Sequence, residues 1–263
     1  MLSRMTIYGR FPPRLAIVLG CGDLGSAVAV VLHRAGFAVA LVDEADPSWH
    51  RRGMTFTNAW YVGNAELDGE GACFCASLKS VPSILARRMI AATTWSWQGL
   101  AAAFETSLLV DARGRKRRGL DSLSGRVPIA IDAELGIAEA DAYGPSSTIE
   151  ARRHGRFMTE RRIGDTVREG EIVGAVGNDA VQAPARGVLL GLAARGARIE
   201  PGDTVVEVDT VRPKHACYGI ADDSRSTALR VLAECRIRLG SSSCCNTAPS
   251  RFESPVTHAE YPQ

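Results

Sequence analysis

Three glycines, Gly20, Gly22 and Gly25, stand in the order G-x-G-x-x-G within "GCGDLG", and an acidic residue, Asp43, follows 18 positions after the last of them. These residue types at this spacing suit the holding of a dinucleotide. The first glycine permits a tight turn, the second lets the backbone approach a pyrophosphate, and the third lets a helix pack close to a sheet. A helix starting there turns free N–H groups and the positive end of its dipole toward an anion. A carboxylate at position 43 would accept a hydrogen bond from a ribose hydroxyl. Cys21, Asp23 and Leu24 fill the other loop positions. A thiol at a helix N-terminus can be a nucleophile; a small apolar filler of the turn is the other reading of Cys21. His50, Tyr61 and His154 have no partner spacing that defines a proton-transfer set, so no catalytic residue is assigned.

The elements that must position this loop are legible on either side of it. "LAIVL" (15–19) is a continuous apolar run of buried-strand length. From Ser26 to Ala35, Val28, Val31 and Leu32 recur at helical spacing, and Gly36 supplies a stop. "AVALVDE" is the next strand and ends around Asp43. Helical patterns follow around "SILARRMIAA" and "WQGLAAAF", then strands at "SLLVDA" and "VPIAIDA". The order predicts an α/β, Rossmann-like domain with a parallel sheet over residues 14–145.

Past Tyr143 the pattern changes. From Arg161 short strands alternate with glycine turns, and "GDTVREGEIVGAV" is echoed by "GARIEPGDTVVEV". This predicts a small all-β module over 146–210. Its pattern resembles the biotinyl and lipoyl carrier (hammerhead) domain, which carries its cofactor on a lysine at a hairpin tip. No lysine lies between Lys116 and Lys214, so covalent biotin or lipoate is excluded. "ADDSRSTALRVLAECRIRL" reads as one amphipathic helix within 211–240. Its apolar positions Leu229, Leu232, Ala233 and Ile237 are expected to return to the Rossmann-like sheet, because parallel sheets are covered on both faces. Residues 241–263 have little to bury and read as a disordered tail.

Composition narrows the partners. The formal charge of +2 gives no general affinity for nucleic acid. No apolar stretch reaches membrane-spanning length, and the N-terminus lacks a signal-peptide core. Seven cysteines, an odd number with no CxxC pair, offer neither zinc-site spacing nor a disulfide framework. A cytoplasmic protein without a metal site is expected; the oligomeric state is not specified.

The order of the pieces carries a resemblance. "GCGDLGSAVAVVLHRAGF", "RRGMTFTNAWYVG", "LLVDARGRKRR", "IEARRHGR", the lysine-free β module and "CYGIADDSRSTALRVLAE" together resemble the selenium-dependent molybdenum hydroxylase system proteins, relatives of the xanthine dehydrogenase accessory factors. The resemblance covers roughly residues 14–239 and departs at Cys21, at the turn after "VPIAI", and in "RRHGR". It implies an accessory role in maturing a molybdenum hydroxylase client, with a molybdopterin dinucleotide bound as cargo. The residues it carries over are Gly20, Gly22, Asp23 and Leu24; Arg51 and Arg52; Asp111, Arg113 and Lys116; and Glu150, Arg153 and His154. An arginine pair suits phosphate, which it binds in a bidentate way. An NAD(P)-dependent oxidoreductase fits the loop and Asp43 equally well, and a structural adaptor without a ligand is the third reading.

Overall fold

The computed structural model describes residues 15–113, 129–133, 146–211 and 213–241. Its first unit is a seven-stranded sheet in the order β3-β4-β5-β2-β1-β6-β7. The strands are β1 (Leu15–Leu19), β2 (Ala38–Val42), β3 (Asn64–Leu67), β4 (Glu70–Phe74), β5 (Ile90–Thr93), β6 (Thr106–Asp111) and β7 (Ile129–Asp132). Every residue of β1, β2 and β5 is buried, as central strands covered on both faces must be. Alternate residues of β1 serve opposite layers. Ala16 and Val18 join α1 (Asp23–Arg34) and α5 (Asp222–Ser241) on one face. Leu15, Ile17 and Leu19 join α3 (Val81–Ala86) and α4 (Trp97–Ala103) on the other. The short α2 (Asn58–Val62) lies between β2 and β3 in the chain.

The expected parallel sheet is corrected to a mixed one. β4, β5, β2, β1, β6 and β7 run parallel, but β3 pairs antiparallel with β4. The cause is a two-residue hairpin: Asp68 and Gly69 both have positive φ, 52° and 80°. An Asp-Gly pair between strands is a strong hairpin signal, because such turns match the twist of the strands they join. The helical pattern expected across "SILARRMIAA" also breaks. α3 stops at Ala86, and "MIAA" enters β5.

The second unit comprises β8 (Ser146–Glu150), β9 (Gly155–Met158), β10 (Thr166–Val167), β11 (Ile172–Val176), β12 (Asp179–Gln182), β13 (Gly187–Leu192), β14 (Arg198–Ile199) and β15 (Thr204–Asp209). They form two four-stranded antiparallel sheets, β10-β13-β15-β8 and β12-β11-β9-β14, which share a core containing Phe157, Val173, Leu189 and Val206. This corrects the expectation of a small biotinyl/lipoyl-like hammerhead module. A self-contained module would alternate buried and exposed residues along its strands, whereas Leu189–Leu192 and Val205–Asp209 are buried without a break. Residues from outside the unit pack into its core, among them Met54 and Cys217.

α5 packs on α1, with Ala228, Val231, Leu232 and Cys235 in the core they share. The buried face is therefore rotated from the expected one, since Leu229 is 53% and Ile237 69% exposed and only Leu232 of the expected set is covered. Leu229→Ala is accordingly expected to change stability by no more than about 0.5 kcal/mol. Val231→Ala should cost about 1.6 kcal/mol, at about 0.8 per buried methylene-sized group. Urea melts of the two variants check the assignment; equal losses would reject the observed face. Among the described residues no helix is long and apolar enough to cross a membrane.

Candidate functional site

The glycine loop leaves the carboxyl end of β1. β2 lies on one side of β1 and β6 on the other, so the loop sits where the chain's direction of winding reverses. In open α/β sheets, ligands bind in the crevice outside the strand ends at such a point. Gly20 has φ +97°, and a side chain there would fall 2.8 Å from the Ala112 carbonyl oxygen. Gly25 packs against the Gly20 carbonyl with no room for a β-carbon. Gly22 caps α1, and its carbonyl accepts the Ser26 N–H at 2.8 Å.

Asp43 stands just past β2 and fixes the loop. Its Oδ2 accepts the Cys21 N–H at 2.7 Å and its Oδ1 accepts the Glu44 N–H at 2.8 Å. Across the crevice, Arg113 donates through Nε and Nη2 to the two carboxylate oxygens of Asp111 at 2.9 and 2.6 Å. That hydrogen-bonded carboxylate pushes the Arg113 pKa up. Cys21 points inward: its Sγ lies 3.4 Å from Thr57 Oγ1 and the residue is fully buried. Burial, followed by the nearby Asp43 charge, raises the thiol well above its ordinary value. We therefore expect Cys21 to resist iodoacetamide at neutral pH in the folded protein and to react once it is denatured. Peptide mass spectrometry reads the result, and rapid native labelling would contradict the inward orientation.

The segment after Asp43 closes over the loop and ties it to the β unit. The indole of Trp49 lies against Gly22, in the space a side chain at 22 would take. His50 and Arg51 converge on Glu207 of β15, which is fully buried. Arg51 donates through Nε and Nη2 to the two Glu207 carboxylate oxygens at 2.6 and 2.7 Å, and through Nη1 to Asp23 at 3.1 Å. His50 Nε2 is 2.9 Å from Glu207 Oε2. Burial alone would raise the Glu207 pKa; the hydrogen bonds from His50 and Arg51 outweigh it and hold the carboxyl far below the usual range. The His50 carbonyl accepts the Leu192 N–H at 2.7 Å, and its ring rests on Gly191, where a side chain would collide with it. Arg52 turns elsewhere, donating to the Leu192 carbonyl at 2.8 Å and to Asn58 Oδ1 at 2.6 Å.

The structure thus brings Gly20, Cys21, Gly22, Asp23, Gly25, Asp43, Asp111 and Arg113 to one edge of the sheet, with Leu24 packed against the core. Arg51 reaches Asp23 there, but it and Arg52 also clasp the β unit. Glu150 ends β8, and Arg153 and His154 lie in the turn before β9, where Arg153 pairs with Asp179. Lys116 lies outside the described residues. Trp49 and Glu207 were not singled out in the sequence, and His50 was weighed only for proton transfer, without a partner. Glu207 did leave a signal, as the lone carboxylate inside the apolar "TVVEV". Among the described residues no group of three or more His, Cys, Asp or Glu side chains could hold a metal ion.

No protein-family model matches the chain. A curated relative, the uncharacterized protein YqeB of Escherichia coli (strain K12), is 22% identical over 253 residues; the match takes in 83% of this chain and 47% of YqeB. The chain thus spans about half the length of that relative. Among solved structures, the ectoine utilization protein EutE (DoeB) of Ruegeria pomeroyi aligns with 68% of this chain and 60% of its own, at 11% identity and a TM-score of 0.25. An aspartoacylase family protein of Mesorhizobium loti covers 68% and 59% at 11% identity and a TM-score of 0.24. A succinylglutamate desuccinylase/aspartoacylase of Rhodobacter sphaeroides covers 69% and 60% at 17% identity and a TM-score of 0.21. Overlaps this slight carry no argument about activity. The expected accessory role in molybdenum hydroxylase maturation is corrected to no assigned role: the three structures named bear ectoine-utilization and aspartoacylase-type descriptions, and the role is not taken further.

Proposed function

We propose that the α/β unit binds a dinucleotide, with its pyrophosphate at the glycine loop and a ribose beside Asp43. The observation that carries this reading is the position of the loop: G-x-G-x-x-G at the winding reversal between β1 and β6, opening the twelve-residue helix α1. Asp43 supports it, since a carboxylate offers about four acceptor positions and can receive a ribose hydroxyl while also bracing the loop N–H. Arg113, held at the next strand end by Asp111, adds positive charge to the same crevice. We propose a cytoplasmic setting, which the free thiols of Cys21, Cys73, Cys75 and Cys235 support.

The test uses the unaltered protein. NAD⁺ and ADP are titrated calorimetrically, and hydrogen exchange is recorded with and without each. Protection confined to residues 20–26, 43–44 and 111–113 supports the site. Binding that protects other segments rejects it, and no binding favours a structural adaptor.

A further inference from the structure

We infer that Trp49 is an autoinhibitory plug on the glycine loop, and that the chain segment carrying it makes ligand binding and docking of the β unit mutually opposed. The inference rests on the dinucleotide reading of the loop and names how that site would be regulated. Three observations carry it.

The first is occupancy. The second glycine of such a loop lacks a side chain so that a pyrophosphate can come close to the backbone. Here the Trp49 indole takes up that approach to Gly22. A diphosphate seated in the usual way would have to displace the ring.

The second is tethering. Trp49 has little slack on either side. Pro47 is held through its carbonyl by the Tyr61 hydroxyl at 2.8 Å, and His50 is held through its carbonyl by the Leu192 N–H at 2.7 Å. Moving the indole off Gly22 together with its backbone would therefore strain the His50 backbone bond to β13 and the His50 ring seated on Gly191.

The third is charge. Arg51 is shared between Asp23, the first residue of α1, and Glu207 of the β unit. A diphosphate arriving at that helix end brings negative charge to the same guanidinium. Arginine pairs with phosphate and with carboxylate through the same bidentate face, so a phosphate that took the Nε and Nη2 face would do so at the expense of Glu207. Coupling of this kind is reciprocal: a β unit held tightly in place weakens the ligand, and the ligand loosens the β unit.

The experiment compares ADP and NAD⁺ binding to the wild-type chain, Trp49→Ala and Glu207→Gln, with hydrogen exchange of β13 and β15 recorded in the wild type with and without ADP. Trp49→Ala should bind at least about tenfold more tightly. Glu207→Gln, which gives Arg51 a weaker partner, should tighten binding severalfold. ADP should speed exchange at 191–192 and 205–208. If neither nucleotide binds wild type or Trp49→Ala, the dinucleotide reading fails and the plug with it. If wild type binds and Trp49→Ala binds equally or more weakly, the site stands and Trp49 is no plug. If binding leaves β13 and β15 equally protected, the opposition between ligand and β unit is wrong. The wild-type exchange measurement decides the coupling even if a variant folds poorly.

Discussion

Arg51→Ala is expected to lower the free energy of unfolding by about 3–5 kcal/mol, the usual cost of removing one partner from a buried ion pair. Glu207 is fully buried, and Arg51 supplies both of its bidentate bonds. Without the guanidinium, only the His50 ring remains beside that carboxylate among the side-chain bonds found. Arg51→Lys should recover part of the loss at most, since an ammonium cannot present the two-pronged fork. Acid adds a second signature. The folded Glu207 pKa lies below the ordinary value of 4.5, so its contribution is complete above that value. It is lost as the pH falls from there toward the folded value. Glu207→Gln should flatten the acid limb of the stability profile. Chemical denaturation across the acid range measures both, and an Arg51→Ala loss under about 1 kcal/mol would mean that the pair does not hold the two units together.

Ending the chain at Val211 should be costlier still for the α/β unit. Val231 and Leu232 of α5 are buried in the core that α5 shares with α1, and at about 1.5–3 kcal/mol each they account for about 3–6 kcal/mol together. The same cut removes Arg225, which pairs with Asp68 at the β3–β4 hairpin, and the Ile220 N–H, which donates to Asp68 at 3.2 Å. Thermal melts followed by near-ultraviolet circular dichroism test this. A truncated chain that melts with the full one would show that α5 contributes nothing to the unit it covers.

Local pattern made part of this structure readable. The apolar runs at 15–19 and 38–42 became buried central strands, and the spacing of Val28, Val31 and Leu32 became α1. Errors arose where a non-local partner decides. An apolar run such as "MIAA" fits a buried helix or a buried strand, and pairing with β2 and β4 chose strand. On α5, Leu229 and Ile237 have the hydropathy of a buried face, but the face turned to α1 carries Ala228, Val231, Leu232 and Cys235. The Asp68-Gly69 turn was legible and went unread. The site divides the same way. The glycine loop and Asp43 were visible because their spacing is local. The seam was hidden because Arg51 and Glu207 are separated by 156 positions, and an arginine seen without its partner reads equally well as a ligand for phosphate.

The closure of α5 on α1 has a consequence for synthesis. Asp222 follows Asp23 by 199 positions, so α1 leaves the ribosome long before its cover exists. The β unit, continuous from Ser146 to Asp209, can complete its strand pairing in that interval. Closing a loop this long adds only modest entropy cost, because that cost grows with the logarithm of length. The larger effect is on timing: contacts this distant in sequence form late, and apolar surface left open meanwhile invites association. A nascent or prematurely ended chain would thus present a finished β unit beside an uncovered α1, a half-made state for chaperones to shield and proteases to clear.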